Sequence, residues 1–146
     1  TIRHATLDDI GGIMELIKPL ENQGILVKRS REKLEMEIGD YTVIERDGLI
    51  IGCTALHAIA DSSSAEIACL AIHGDYRNAA RGNSLLNYIY EQAGQQGLKR
   101  LFVRSTQTMH WFVERGFSSC EVSSLPPALQ QAYNYQRNAK VLFKDL

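Results

Sequence analysis

The residues with most to offer chemically lie in one stretch, Ile72-His73-Gly74-Asp75-Tyr76-Arg77-Asn78-Ala79-Ala80-Arg81-Gly82-Asn83-Ser84-Leu85-Leu86. An apolar run, Ile67 to Ile72, leads into it, and a helical pattern of Leu85, Leu86, Ile89 and Ala93 leaves it. A strand that turns through a loop of small residues into a helix leaves several N–H groups at the helix start without a backbone partner. With the positive end of the helix dipole they make an anion site, and a phosphate or pyrophosphate is its natural guest. An ordinary strand-to-helix connection with two solvated arginines, Arg77 and Arg81, accounts for the same letters. Other reactive residue types are sparser. His4, His57, His73 and His110 have no metal-like spacing with cysteines or carboxylates, so no metal is expected. Cys69 invites a nucleophile reading, but no histidine stands in suggestive register, and a buried strand thiol is the plainer reading.

Bulk properties narrow the setting. A chain of 146 residues suits one domain with one core. Sixteen basic against seventeen acidic residues give a net charge of −1, which favours neither nucleic acid nor an anionic membrane. The longest apolar runs fall far short of the roughly 20 residues a membrane span needs. Cys53, Cys69 and Cys120 are odd in number, widely spaced and flanked by apolar or small residues. They read as buried free thiols in a reducing compartment, and a cytoplasmic location is expected. The chain opens at Thr1 directly on a strand-like segment, so a fragment of something longer is expected.

The elements that must position the loop follow from periodicity and caps. Thr1 to His4 alternates like an edge strand. Thr6 opens a helix, with Asp8 and Asp9 in its first turn and Ile10, Ile13, Met14, Ile17 and Leu20 at helical spacing. Gly11-Gly12 inside it costs about 1 kcal/mol per glycine against alanine, which signals close packing or a deformable turn. Pro19 is expected to kink or end its regular part. Ser30 caps a shorter helix through Ile38, stopped by Gly39. Tyr41 to Glu45 and Leu49 to Ile59 read as strands joined by an Asp47-Gly48 hairpin turn. Ala65 to Ile72 is the next strand. A helix after Gly82 to about Gln96, a strand from Arg100 to Arg104, a helix capped by Thr108 and running through Arg115, and a strand from Phe117 to Val122 follow. Leu125-Pro126-Pro127 breaks the chain, Ala128 to Tyr135 is ambiguous, and Val141 to Phe143 is a last strand. A hairpin followed by a strand–helix–strand crossover predicts an α/β fold with a mixed sheet and helices on both faces.

This order of elements resembles the GCN5-related N-acetyltransferase (GNAT) fold over nearly the whole chain. Arg77, Ala80 and Gly82 fill the fixed positions of a loop similar to that family's acetyl-coenzyme A signature, with alanine where a glycine is usual. Trp111-Phe112-Val113-Glu114-Arg115-Gly116-Phe117 is similar to a second segment that flanks the coenzyme. Asp8 to Ile13, Gly24 to Arg31, Leu34 to Ile38 and Tyr133-Asn134-Tyr135-Gln136-Arg137 together resemble the C-terminal domain of bacterial N-acetylglutamate synthases. Those enzymes carry an amino-acid-kinase-like domain ahead of it, which would be the partner in the full-length chain. The oligomeric state is left open, a homo-oligomer included.

The resemblance implies acetyl transfer from acetyl-coenzyme A to the α-amino group of L-glutamate, the first step of arginine biosynthesis. It implies a gap between the strand before the loop and its parallel neighbour, with the Leu70 N–H polarising the thioester carbonyl. Ala71 and Ile72 would pair the pantetheine amides, and the amides of Asn78, Ala79, Ala80, Arg81, Gly82 and Asn83 would hold the pyrophosphate, with charge from Arg77 and Arg81. Glu66 would be the general base. An ordinary glutamate, with a pKa near 4.3, needs desolvation or a relay water for that role; a solvated strand glutamate is the alternative. Ser105, or Thr106 with a slip of one residue, would donate the proton to the leaving thiolate; a helix cap is the competing role for Ser105. Arg137 would clamp the acceptor's side-chain carboxylate and Lys28 would assist, while the backbone of Leu26 and Cys69 would hold its main-chain groups. Arg104 is a further possible clamp, and Ala139 stands where a small hydroxyl residue is expected.

Overall fold

The computed structural model describes residues 1–60, 62–77, 79–133 and 139–146, and of Ala79 and Ala132 the backbone only. Asn78 and Arg137 therefore lie outside the described residues, as does most of the Tyr133–Arg137 motif. The strands are β1 (Ile2–His4), β2 (Tyr41–Arg46), β3 (Leu49–Ala58), β4 (Ser64–Ile72), β5 (Arg100–Ser105), β6 (Ser118–Cys120) and β7 (Lys140–Asp145). The helices are α1 (Ile10–Asn22), α2 (Arg31–Glu37), α3 (Ala79–Gln95), α4 (Met109–Val113) and α5 (Pro127–Ala132). The sheet runs in the order β1-β2-β3-β4-β5-β7-β6. The β4–β5 pair is parallel, and β1–β2, β2–β3, β5–β7 and β6–β7 are antiparallel, so the sheet is mixed, as expected.

The chain divides into two compact units, the first Thr1–Leu56 with Cys69–Glu91 and the second His57–Ala68 with Gln92–Leu146. In the first unit the α1 entry is set by sequence. The Thr6 N–H donates to Asp9 Oδ2 at 2.7 Å and the Asp9 N–H donates to Thr6 O at 2.9 Å, a reciprocal cap. Arg3 grips both Asp9 oxygens, at 2.8 and 2.9 Å, and reaches Glu45 Oε1 at 2.8 Å. Pro19 does not end α1 at its own position; the helix continues to Asn22, with Pro19 O accepting from the Gln23 N–H. The two glycines of α1 differ. A Cβ on Gly12 would meet Ile50 Cγ1 at 2.7 Å, whereas one on Gly11 would meet nothing within 4 Å. Ser30 Oγ accepts from the Lys33 N–H and starts α2. Asp47 and Gly48 both take positive φ, 52° and 80°, the geometry a two-residue hairpin of this twist needs. A core of Ile44, Ile51 and Leu85 is packed by Ile2, Leu70, Ile72 and Tyr76.

In the second unit, β4 and β5 pair from Ser64↔Arg100 to Ile67↔Val103, and β5 pairs β7 along its whole length. A core of Ile59, Phe102, Leu125, Leu129 and Val141 is packed by Cys120, Val122, Tyr133 and Phe143. The break at Pro126-Pro127 is the start of α5, because proline suits a first helical position whose N–H would have no partner anyway. β6 is shorter than expected, three residues, and α4 ends at Val113 before the turn to Gly116, whose φ is 94°.

Candidate active site

Glu66 sits in β4 opposite Phe102 of β5, and it is 7% exposed. It is no solvated strand glutamate. Both carboxylate oxygens accept from Arg104, Oε2 from Nε at 2.5 Å and Oε1 from Nη2 at 3.0 Å. A bidentate guanidinium fixes the carboxylate plane as well as its charge. Arg104, weighed above as a clamp for the acceptor, thus holds Glu66 through two of its nitrogens. Ser105 ends β5 and is buried, with its Oγ 2.8 Å from Thr108 Oγ1 and accepting the Thr108 N–H at 2.8 Å. That is the capping role, and it leaves the Ser105 proton deliverable when Thr108 donates to Ser105. Thr106 Oγ1 is buried with no hydrogen-bond partner among the described residues.

The first unit holds the remaining positions. After Ile67 the backbone of β4 leaves the extended region at Cys69, φ +54°, a conformation uncommon for a non-glycine residue and typical of over-determined functional turns. Ala71 is buried, and Leu70 and Ile72 pack on the core. The His73 N–H donates to Ile51 O at 2.8 Å, which ties the end of β4 to β3. The loop is shorter than the sequence suggested, since α3 begins at Ala79 and not at Gly82. Ala79, Ala80, Arg81 and Gly82 form its first turn, at the positive end of the helix dipole, and Asn83 follows. Alanine in place of glycine at position 80 fits, because helix starts tolerate a Cβ. Arg77 is exposed and folds back, its Nε donating to Ile72 O at 3.1 Å. Arg81 stacks over Tyr76 at 5.0 Å from the ring centre, with Arg46 at 5.7 Å. Leu26 is half-buried, its N–H donating to Leu20 O at 3.2 Å, and Lys28 is exposed.

Sequence reasoning missed a cluster around Cys69 built from four separated positions. The Cys53 thiol donates to the backbone Cys69 O at 3.4 Å. Tyr41 and the charge of Arg29 also act on the Cys69 thiol. These neighbours hold the Cys69 thiol below its usual range against its burial, Cys53 contributing most. Cys53 is pushed well up by Cys69 and by burial, and Tyr41 is pushed far up, chiefly by burial. Arg29 stays firmly charged: burial opposes the charge, but Cys69, Tyr41, Cys53 and Glu37 outweigh it. Its Nη1 donates to Val27 O at 2.8 Å, and its backbone N–H donates to Glu21 Oε2 at 2.9 Å. Cys120 is half-buried, not buried as the sequence suggested. Among the described residues no three of His, Cys, Asp or Glu could hold a metal, and no helix is long and apolar enough to cross a membrane.

Comparison with known proteins identifies the family. The acetyltransferase (GNAT) domain pattern matches residues 37–119. An amino-acid acetyltransferase of Yersinia pseudotuberculosis is 58% identical over 145 residues, 99% of this chain and 33% of that protein. This chain therefore spans about a third of the length of the curated relatives it matches. N-acetylglutamate synthase from Neisseria gonorrhoeae, complexed with coenzyme A and N-acetyl-glutamate, superimposes with TM-score 0.96 at 41% identity, over 100% of this chain and 35% of that one. The same enzyme complexed with coenzyme A and L-arginine gives 0.89 at 40% identity, over 100% and 33%. By its sheet order, its strand–loop–helix connection and its sequence, the chain belongs to the GNAT acetyltransferase family.

Proposed function

We propose that this chain is the acetyl-transferring part of an N-acetylglutamate synthase, moving acetyl from acetyl-coenzyme A to the α-amino group of L-glutamate at the head of arginine biosynthesis in the cytoplasm. The observation that carries it is the buried, oriented Glu66 in β4, followed three residues on by the left-handed turn at Cys69. The first-turn amides of α3, Ala79 to Gly82, with those of Asn78 and Asn83, take the pyrophosphate, and Arg77 and Arg81 add charge. The Leu70 N–H donates to the thioester carbonyl, and Ala71 and Ile72 offer backbone groups to the pantetheine amides. Glu66, with its plane fixed by Arg104, accepts the proton of the glutamate ammonium directly or through one water. The amine then attacks the carbonyl carbon, the C–S bond breaks, and the Ser105 hydroxyl gives its proton to the leaving thiolate, while the second proton shed by the new amide nitrogen returns through water to Ser105. Leu26 and Cys69 hold the acceptor's main-chain groups, and Lys28 and Arg137 meet its carboxylates. A kinase-like domain completes the full-length protein. No metal takes part.

A thiol-release assay with a panel of amines tests this reading. Glutamate is expected to release coenzyme A at least tenfold faster than aspartate, lysine, a polyamine or a peptide N-terminus; equal rates with all of them refute the substrate assignment. A second reading, a coenzyme-binding regulatory module without turnover, is favoured by one observation: Arg104 already occupies both Glu66 oxygens. It predicts coenzyme binding with no thiol release from any amine.

A further inference from the structure

We propose that Arg104 reads the α-carboxylate of the acceptor, so that the Glu66–Arg104 pair is a receptor for the two charges of a free α-amino acid. This rests on the acetyl transfer proposed above and names what that site demands of its acceptor. The two side chains come from neighbouring parallel strands, 38 residues apart in sequence. β4 and β5 pair from Ser64↔Arg100 to Ile67↔Val103. Glu66 thus stands one residue before the last pairing position on β4, and Arg104 one residue past the last on β5. Beyond that point β5 continues against β7 alone, as Arg104↔Val141 and Ser105↔Lys140. The ion pair therefore sits where the β4–β5 ladder ends. The Arg104 Nε donates to Glu66 Oε2 at 2.5 Å and Nη2 to Oε1 at 3.0 Å, so the fork grips both oxygens. The side chains are 9% and 24% exposed, which leaves little water to replace either partner.

Opening such a fork for an incoming ammonium leaves a guanidinium largely out of water without its counter-charge, which is costly. An α-amino acid avoids that cost. Its ammonium and carboxylate sit on one carbon, so it exchanges one internal pair for two: ammonium on Glu66 and carboxylate on Arg104. With the nitrogen at Glu66, the carboxylate that reaches the adjacent Arg104 is the α-carboxylate and not the more distant one of the side chain. A planar guanidinium suits the exchange, because the two-pronged geometry that holds Glu66 also holds a substrate carboxylate. An amine with no neighbouring carboxylate, or with that group converted to an amide, engages Glu66 and strands Arg104. Selection therefore comes from a penalty on wrong acceptors as well as an attraction for the right one. Arg104 on both Glu66 oxygens is then no obstacle to a base, since the acceptor to be deprotonated is what opens the fork.

The test gives the purified chain acetyl-coenzyme A and three acceptors: glutamate, its α-amide, and its γ-amide, glutamine. In the wild type, kcat/KM for glutamate should exceed that for the α-amide by about thirtyfold or more, the scale of removing one half of a buried charge pair. In Arg104→Gln, kcat/KM should fall far more for glutamate than for the α-amide, closing their ratio to about threefold or less, while the glutamate-to-glutamine ratio stays within about threefold of the wild-type value. An Arg104 that only props Glu66 lowers all three acceptors in parallel, so an unchanged α-amide ratio in the variant overturns the proposal. A wild type that accepts the α-amide within about threefold of glutamate overturns it as well, with no variant needed. Absence of thiol release with glutamate refutes the acetyltransferase reading by itself. Calorimetry of glutamate and its α-amide into the chain saturated with coenzyme A then decides the role of Arg104. Tighter binding of glutamate that Arg104→Gln removes supports it, and equal binding, or none, overturns it.

Discussion

Removing Glu66 and Arg104 separately and together measures how firmly the proposed base is held. The pair is bidentate, and the side chains are 9% and 24% exposed, so it lies between a buried pair and a surface pair. Breaking a fully buried pair costs about 3–5 kcal/mol, while an exposed pair is worth about 0–1 kcal/mol. Glu66→Gln leaves a guanidinium that turns partly to water, a cost of about 2 kcal/mol. Arg104→Gln leaves a carboxylate that has less water to turn to, a cost of about 3 kcal/mol. The double variant removes both charges and should cost about 3 kcal/mol instead of the additive sum, a coupling of about 2 kcal/mol. Urea unfolding followed by Trp111 fluorescence, with all four m values compared, reads the cycle. Additivity within about 0.5 kcal/mol refutes the claim that Arg104 sets the Glu66 carboxylate.

Three further outcomes follow from local geometry. Gly11→Ala should stabilise α1 by about 1 kcal/mol through helix propensity, whereas Gly12→Ala should destabilise it by about 1–3 kcal/mol against Ile50, both read by urea midpoint. Asp9 is held below its ordinary range by Arg3, so its contribution is present above the unfolded value of 3.8 and is lost as pH falls through the lower folded value. Thermal melts from pH 5 to pH 2 should show a decline in the wild type that is shallower in Asp9→Asn; parallel declines contradict it. Ser105→Ala should slow thiol release about a hundredfold and cost about 1 kcal/mol of stability as a lost cap, while Thr106→Val should change turnover less than threefold. The reverse order moves the proton donor to Thr106, whose hydroxyl has no described partner.

Much of the fold was legible because its signals are local. The Thr6 and Ser30 caps, the Asp47-Gly48 hairpin and the alternation along β2 act over a few residues, and the structure keeps them. The start of α3 was misjudged because Gly82 read as the end of the loop, while Ala79-Ala80, both strong helix formers, carried the helix further back. Of the two outcomes expected at Pro19, an end at that residue did not occur: α1 runs three residues beyond it, to Asn22. Glu66 was legible as a candidate base, but the partner of its carboxylate was not. Arg104 lies 38 residues away, and only the parallel β4–β5 register brings the two together. The Cys69 surroundings were invisible for the same reason: Arg29, Tyr41 and Cys53 come from a connector and two strands, with no shared spacing to betray them.

The central claim is that Glu66 deprotonates an amine beside a coenzyme held by separate backbone groups. Calorimetric titration of acetyl-coenzyme A into the wild type and Glu66→Gln, paired with glutamate-dependent thiol release on the same samples, tests it most directly. The account predicts dissociation constants within threefold of each other and turnover lower by about a hundredfold or more in the variant. Undiminished turnover in Glu66→Gln, or no coenzyme binding by the wild type, contradicts it.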